Sequence, residues 1–460
     1  MNPELNPVVV GCGPAGIRAA ETLAAHGVRP VVIDEAASWG GQIYRQPPSG
    51  FRRPLASGHA FEAGRAAAVH AAMASLLDRV DYRPNTLVWN AEGGELDVLH
   101  DEQTSTVPYR QLVVATGATD RVLPLPGWTI PGVFTLGGAQ VALKYQGCAI
   151  GTRIVFLGTG PLLYLVAYQY ARAGADVAAV LDTAHLGSKL AAVPALLSRP
   201  GVLMQGLYYL AWLRVHGIAV HQGVRPVRVN GVQRVTGVVW REGRRERELA
   251  CDAVGFGYAL RAETQLADVL GCGFAFDPMR RAYLPERDAA GRATVPGVYL
   301  AGDGAGILGA DAAEASGERA ALALLEDAGV PADAARAATL EGRLSRIAVF
   351  CRGLDRAFPF PEDWAASAAD DLIICRCEEI TAGELRSAVT DRGARELNQL
   401  KSLTRVGMGR CQGRVCGQAA AEILAQASGR SPREIGRLRS QPPIKPIPFS
   451  VTGASSAGRV

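Results

Sequence analysis

Four of the nine cysteines in this 460-residue chain fall into two close pairs, Cys375-Arg376-Cys377 and Cys411-Gln412-Gly413-Arg414-Val415-Cys416. A C-x-C loop and a C-x4-C loop can bring four thiolates to one centre, and either an iron–sulfur cluster or zinc accepts such a set. Two features favour iron–sulfur. Gly407, Gly409, Gly413 and Gly417 offer bare N–H groups to cluster sulfurs, and Arg376, Arg405, Arg410 and Arg414 could offset an anionic cluster. Structural zinc and a packing module without ligands are the competing readings.

A second kind of chemistry is written in glycine. Gly11-Cys12-Gly13-Pro14-Ala15-Gly16 follows the β-branched run Val8-Val9-Val10, and an alanine-rich stretch follows it in turn. This is a strand, a phosphate-binding turn and a helix, with a pyrophosphate expected on the helix N-terminus. Asp34 lies 23 positions after Gly11, where a carboxylate accepts ribose hydroxyls. Thr116-Gly117, at the end of an apolar strand, and Gly302-Asp303, at the end of another, complete three flavoprotein signatures in order. Asp303 is expected at the ribityl chain, and Gln42, after Gly40-Gly41, either at the flavin ring or in a plain surface turn. Together they point to FAD.

A second turn, Gly158-Thr159-Gly160-Pro161-Leu162-Leu163, has Leu163 where the third glycine belongs, and Asp182 stands 24 positions after Gly158. With no arginine beside Asp182, an occupant would be NAD or another adenine nucleotide such as ATP, not NADP. A scaffold that binds nothing is the alternative.

The elements that must position these residues make an α/β chain with two dinucleotide-binding, Rossmann-like domains and a small helical C-terminal module. The expected limits are 1–125 with 254–330 for FAD, 126–253 for the second domain, 331–370 for a helical connector, 371–430 for the cluster module and 431–460 for a tail. Strands are expected over 86–89 and 96–99, a helix over 61–80, and a hairpin with arms 235–240 and 248–253. Pro124, Pro126, Gly127, Pro131 and Gly132 stiffen the crossing between domains. In the cluster module, Thr381 and Glu384 predict a capping box.

Composition supports this layout. Apolar residues are 48% of the chain, and its 53 glycines exceed the roughly 32 of average usage. A net charge of +4 gives no reason to propose nucleic acid. The longest apolar region, Leu190 to Leu213, is broken by Ser198-Arg199-Pro200-Gly201, so no membrane span is expected. No leader is expected before Val8. The cysteine usage fits a reducing cytoplasm, with peripheral membrane association left open. Cys12 and Cys148 are expected to be buried packing residues.

The runs Asp34-Glu35, Gly40-Gly41-Gln42-Ile43-Tyr44-Arg45-Gln46-Pro47-Pro48, Ala115-Thr116-Gly117-Ala118-Thr119, Pro126 to Val133, Gly160-Pro161-Leu162-Leu163 and Thr404 to Gly413 resemble the FAD-binding subunit of hetero-oligomeric amino-acid and opine dehydrogenases, a group including the corresponding subunits of opine oxidase and hydrogen cyanide synthase and the hydroxyproline dehydrogenase α subunit. The chain is also similar to part of the sarcosine oxidase α subunit. The resemblance implies a fold of the FAD/NAD(P)-disulfide-reductase type with a [2Fe-2S] module like bacterioferritin-associated ferredoxin. In that small protein the last two cysteines are separated by two residues rather than four. It adds Glu35 and Arg45 to the cofactor residues and leaves FMN at a subunit interface as an open question.

The implied role is electron transfer. A partner flavoprotein β subunit would oxidise the C–N bond of an amino acid or opine, with a small ferredoxin-like subunit as a further candidate partner. No residue of this chain is expected to be catalytic. The competing functions are a self-sufficient NADH-dependent reductase and a non-catalytic assembly subunit holding zinc.

Overall fold

The computed structural model describes residues 5–48, 50–51 and 62–449. Residue 61 and the tail beyond 449 lie outside the described residues, and the helix expected over 61–80 runs Ala63–Ala74, giving way to turns before the strand Asp81–Arg83.

Val8, Val9 and Val10 are buried because their strand, Pro7–Val10, is central in a parallel sheet. Its neighbours are Gln111–Val114 on one side and Val31–Ile33 on the other, with Val298–Leu300 and Asp81–Arg83 at the edges. A sheet covered on both faces needs continuous apolar strands, which these supply. The helices Pro14–Ala25 and Ala310–Asp327 cross on it so closely that a Cβ at Gly317 would strike the Ala15 carbonyl oxygen.

The second sheet is also parallel. Its strands run Ala219–Gln222, Asp176–Asp182, Arg153–Thr159, Ala253–Tyr258 and Val133–Thr135. The segment from Ala253 therefore belongs to the second domain, and the limit expected at residue 253 moves past Tyr258. The return to the first domain is made by Leu260–Ala262, paired antiparallel with the outgoing Ala118–Asp120. The hairpin has arms Val235–Glu242 and Arg245–Ala250, shorter at its end than expected because Ala253 starts the next sheet strand. The strands Leu87–Glu92 and Glu95–His100 are joined by a third, Gln103–Pro108. Its alternation is hidden because only Val107 is buried.

The connector is one helix, Ala334–Ala357, started by Asp333 accepting from the Arg336 N–H and stopped before Pro359. Beyond it, the cluster module shares an apolar core with the second domain. Two indoles fix it to the interdomain crossing. Trp364 Nε1 donates to the Pro124 carbonyl and Trp128 Nε1 to the Ile373 carbonyl, each at 2.8 Å. Trp364→Phe leaves the Pro124 carbonyl without its donor and is expected to destabilise the chain by about 1–3 kcal/mol. Denaturant unfolding checks this, and an unchanged midpoint would refute that anchoring role.

No helix among the described residues is long and apolar enough to cross a membrane. The helix Leu186–Leu196 nevertheless exposes Leu186, Leu190 and Val193, with Leu197 following at its end, and Pro200–Val215 exposes Met204 and Leu207.

Candidate functional site

The first phosphate turn has the shape its residues require. Gly11 adopts φ +102°, and a side chain there would strike the Ala115 carbonyl, while one at Gly16 would strike the Gly11 carbonyl oxygen. The helix N-terminus thus sits directly on the strand end, with Pro14 at its first position. Gly40 donates to the Cys12 carbonyl at 2.8 Å, bringing Gly41 against Gly13. Gln42 is exposed, and the Arg45 Nε is buried without a hydrogen-bond partner among the described residues.

Asp34 accepts from the Cys12 N–H at 2.5 Å and from the Ala36 N–H at 2.7 Å. Burial pushes its carboxyl up against these bonds, so further donors, such as ribose hydroxyls, would favour the anion. Asp303 Oδ1 takes the N–H groups of Leu308 and Gly309, each at 2.9 Å, and burial pushes this carboxyl up as well. Glu35 pairs with Lys445 from the C-terminal tail, a contact with no local sign in either stretch of sequence. The tight turn, the unpartnered Arg45 nitrogen and two half-hidden carboxylates fit an FAD.

The second turn differs. Gly160 starts the helix Pro161–Arg172 with φ +109°, but Leu163 is fully buried among Leu136, Phe156 and their neighbours. Asp182 has no exposed surface. Its Oδ2 takes the Tyr164 hydroxyl at 2.6 Å and the Lys189 ammonium at 2.5 Å, and its Oδ1 takes the Ala184 N–H at 2.9 Å. Lys189 also sits 5.3 Å from the ring of Phe358, at the end of the connector. The carboxylate expected to meet a ribose instead neutralises a lysine of its own chain, so these residues do not fit NAD.

In the cluster module, Thr381 and Glu384 form the expected capping box. The cysteines come from the strand end Ile373–Cys375, the turn after it, and the loop before the helix Gly417–Ser428. A Cβ on Gly409 would strike the Cys377 Cβ, so only glycine lets the two loops meet there. The thiols are linked pairwise: Cys416 meets both Cys375 and Cys411, and Cys411 meets Cys377. No group of three or more among the described residues gathers for a single metal ion.

The Cys416 thiol is the main cause that pulls Cys411 down to about 5 and Cys375 down to about 6. Backbone N–H groups of Gly413 and Val415 assist at Cys411, and those of Gly407, Glu378 and Cys377 at Cys375. The same contacts push the Cys416 thiol well up and burial pushes Cys377 up, so two thiols of the set ionise readily and two do not, whereas metal ligation needs all four deprotonated. The nearby arginines are mostly engaged elsewhere. Arg376 lies over the Trp128 ring, Arg405 pairs with Glu378 and Arg414 with Glu263. All nine cysteines are free, and Cys148 is exposed rather than buried.

The two regions adjoin. Residues 261–265 touch Thr116 and Gly117 on one side and the Cys411–Cys416 loop on the other. Nothing in the local sequence of either region announces this contact.

Residues 6–323 match the family described as pyridine nucleotide-disulphide oxidoreductase, and residues 373–426 match the BFD-like [2Fe-2S] binding domain. An opine oxidase subunit of Agrobacterium tumefaciens (strain Ach5) is 37% identical, across 96% of this chain and 90% of that protein. The hydrogen cyanide synthase subunit HcnB of Pseudomonas protegens is also 37% identical, across 97% of each. Among solved structures, L-proline dehydrogenase from P. horikoshii superposes with a TM-score of 0.73 at 20% identity, over 97% of this chain and 79% of that one.

Proposed function

This chain belongs to the pyridine nucleotide-disulphide oxidoreductase family, as an FAD-dependent oxidoreductase with a BFD-like [2Fe-2S] domain, and on that premise we propose that it is the electron-transfer subunit of a hetero-oligomeric dehydrogenase. Its relatives are named as subunits of opine oxidase and of hydrogen cyanide synthase. A partner flavoprotein β subunit oxidises the C–N bond of an amino acid or opine, and this chain receives the electrons. The observation that carries the reading is the link from the flavin-side residues Thr116 and Gly117, through the single segment 261–265, to the cluster loop.

Gly11, Gly13, Pro14, Ala15 and Gly16 hold the pyrophosphate, Asp34 and Glu35 flank the adenosine ribose, and Gly41, Gln42, Arg45, Thr116, Gly117, Gly302 and Asp303 surround the rest of the FAD. Cys375, Cys377, Cys411 and Cys416 hold the cluster. When bound, the flavin exchanges one or two electrons and the cluster one. The protein supplies place and charge. The apolar faces around Leu190 and Met204 support burial against another subunit.

Gly158, Gly160 and Asp182 are retained as scaffold, since Lys189 and Tyr164 occupy the carboxylate. Anaerobic addition of NADH to the purified chain is therefore expected to leave the flavin bands unbleached. The partner subunit with its substrate is expected to bleach them. Bleaching by NADH alone would make this chain a reductase in its own right and return a role to the Gly158 turn.

A further inference from the structure

The long C-x4-C spacing has a structural use. Each of the residues 412–414 between its cysteines is bonded to the segment 261–265. Gln265 Nε2 donates to the Gln412 carbonyl at 2.6 Å, and Arg261 donates to the carbonyls of Gly413 and Arg414 at 3.3 and 2.9 Å. The Arg414 guanidinium grips the Glu263 carboxylate with two bonds, Nε to Oε2 at 2.8 Å and Nη2 to Oε1 at 3.1 Å. Both side chains are largely buried, at 14% and 8% exposure.

Glu263 also faces the flavin side. Its N–H donates to the Gly117 carbonyl at 2.9 Å, and its carbonyl accepts from the Thr116 hydroxyl at 2.7 Å. A second branch leaves the same guanidinium. Arg414 Nη1 donates to the Ile444 carbonyl at 2.7 Å, and the next residue, Lys445, pairs with Glu35 at the adenosine end. One arginine, held between two cluster cysteines, thus reaches both ends of the flavin site.

We propose that Arg414 is a positioning residue through which filling of the cluster site and filling of the flavin site favour each other. Cluster ligation fixes the Cys411–Cys416 loop. That loop fixes the Arg414 fork, and the fork sets Thr116–Gly117 through Glu263 and Glu35 through the tail. A coupling of this kind is reciprocal, so it is readable from either site. It rests on the reading that this chain holds both FAD and a cluster. A lysine cannot replace the planar fork, because an ammonium offers a point charge in place of two parallel bonds.

The full chain, as purified with both groups, is diluted and FAD release is followed by flavin fluorescence, before and after anaerobic chelation strips the iron. In the wild type, stripping is expected to raise the FAD Kd by about fivefold or more. In R414K the difference is expected to vanish. The double variant E263Q with R414Q removes both buried charges together, covers the case in which a single variant fails to fold, and is expected to bind FAD equally with and without the cluster. Equal wild-type affinity in the two states overturns the coupling, and so does a full difference kept by R414K. A chain that holds no iron or no flavin overturns the proposed function as well, whereas both cofactors present without any difference overturns the coupling alone.

Discussion

Replacing Cys375 or Cys411 with serine is expected to remove iron and acid-labile sulfide from the purified chain while flavin remains at saturating FAD. These are the two thiols held lowest, near 6 and near 5, chiefly by hydrogen bonds from Cys416. A serine hydroxyl does not ionise in this range and is a poor ligand for iron beside sulfide. Loss of an outer partner of a metal ligand typically costs roughly 10–100-fold in affinity, and loss of a ligand itself is expected to exceed that. Turnover by the assembled complex should fall with the iron content. Metal analysis and the electron paramagnetic resonance of the reduced chain read the result directly. Wild-type protein that carries zinc and no iron would refute the electron-transfer role before any variant is made.

Gly16→Val is expected to abolish FAD binding. Any Cβ at this position meets the Gly11 carbonyl oxygen, and Val9 Cγ1 lies 3.4 Å away. The helix would have to lift off the strand, and its N-terminal N–H groups would leave the pyrophosphate position. The atom struck is backbone rather than the end of a flexible side chain, so the fold itself is under load and unfolding must be measured beside flavin content. The measurement is flavin absorbance after purification in excess FAD, together with the midpoint of thermal unfolding. A folded variant with normal flavin content would show that the first turn is not the pyrophosphate site. The second turn carries Leu163 at the equivalent position and buries it in its core, which separates the two turns physically.

The electrostatics of the two acidic strand ends point the same way. Asp34 directly follows the strand Val31–Ile33, and Asp182 ends the corresponding strand Asp176–Asp182 of the second sheet. Among the described residues the Asp34 carboxylate accepts from backbone N–H groups alone, those of Cys12 and Ala36. Asp182 has gained a cation and a phenol from its own domain. A buried carboxylate that already neutralises a lysine offers little to an incoming hydroxyl, and displacing Lys189 would leave a buried charge unpaired.

The amino-acid sequence by itself determined the parts whose chemistry is local. The strand, turn and helix at Val8 to Gly16 follow from β-branched residues and glycines at fixed spacing. The Thr381–Glu384 capping box follows from two side chains three residues apart. The cysteine pairs could be read as a ligand set because ligand geometry constrains spacing within a loop. The tertiary structure alone decided how these parts meet. Ala253–Tyr258 joins the second sheet because its partner is Arg153–Thr159, a choice made by sheet packing rather than by any feature of the strand. Lys189 claims Asp182, Lys445 claims Glu35, and Arg414 claims Glu263 from 151 positions away. The buried Asp182 and Glu263 must find an opposite charge and the exposed Glu35 need not, but which partner each one meets depends on the surfaces that folding brings together. Periodicity and spacing carry no record of that choice.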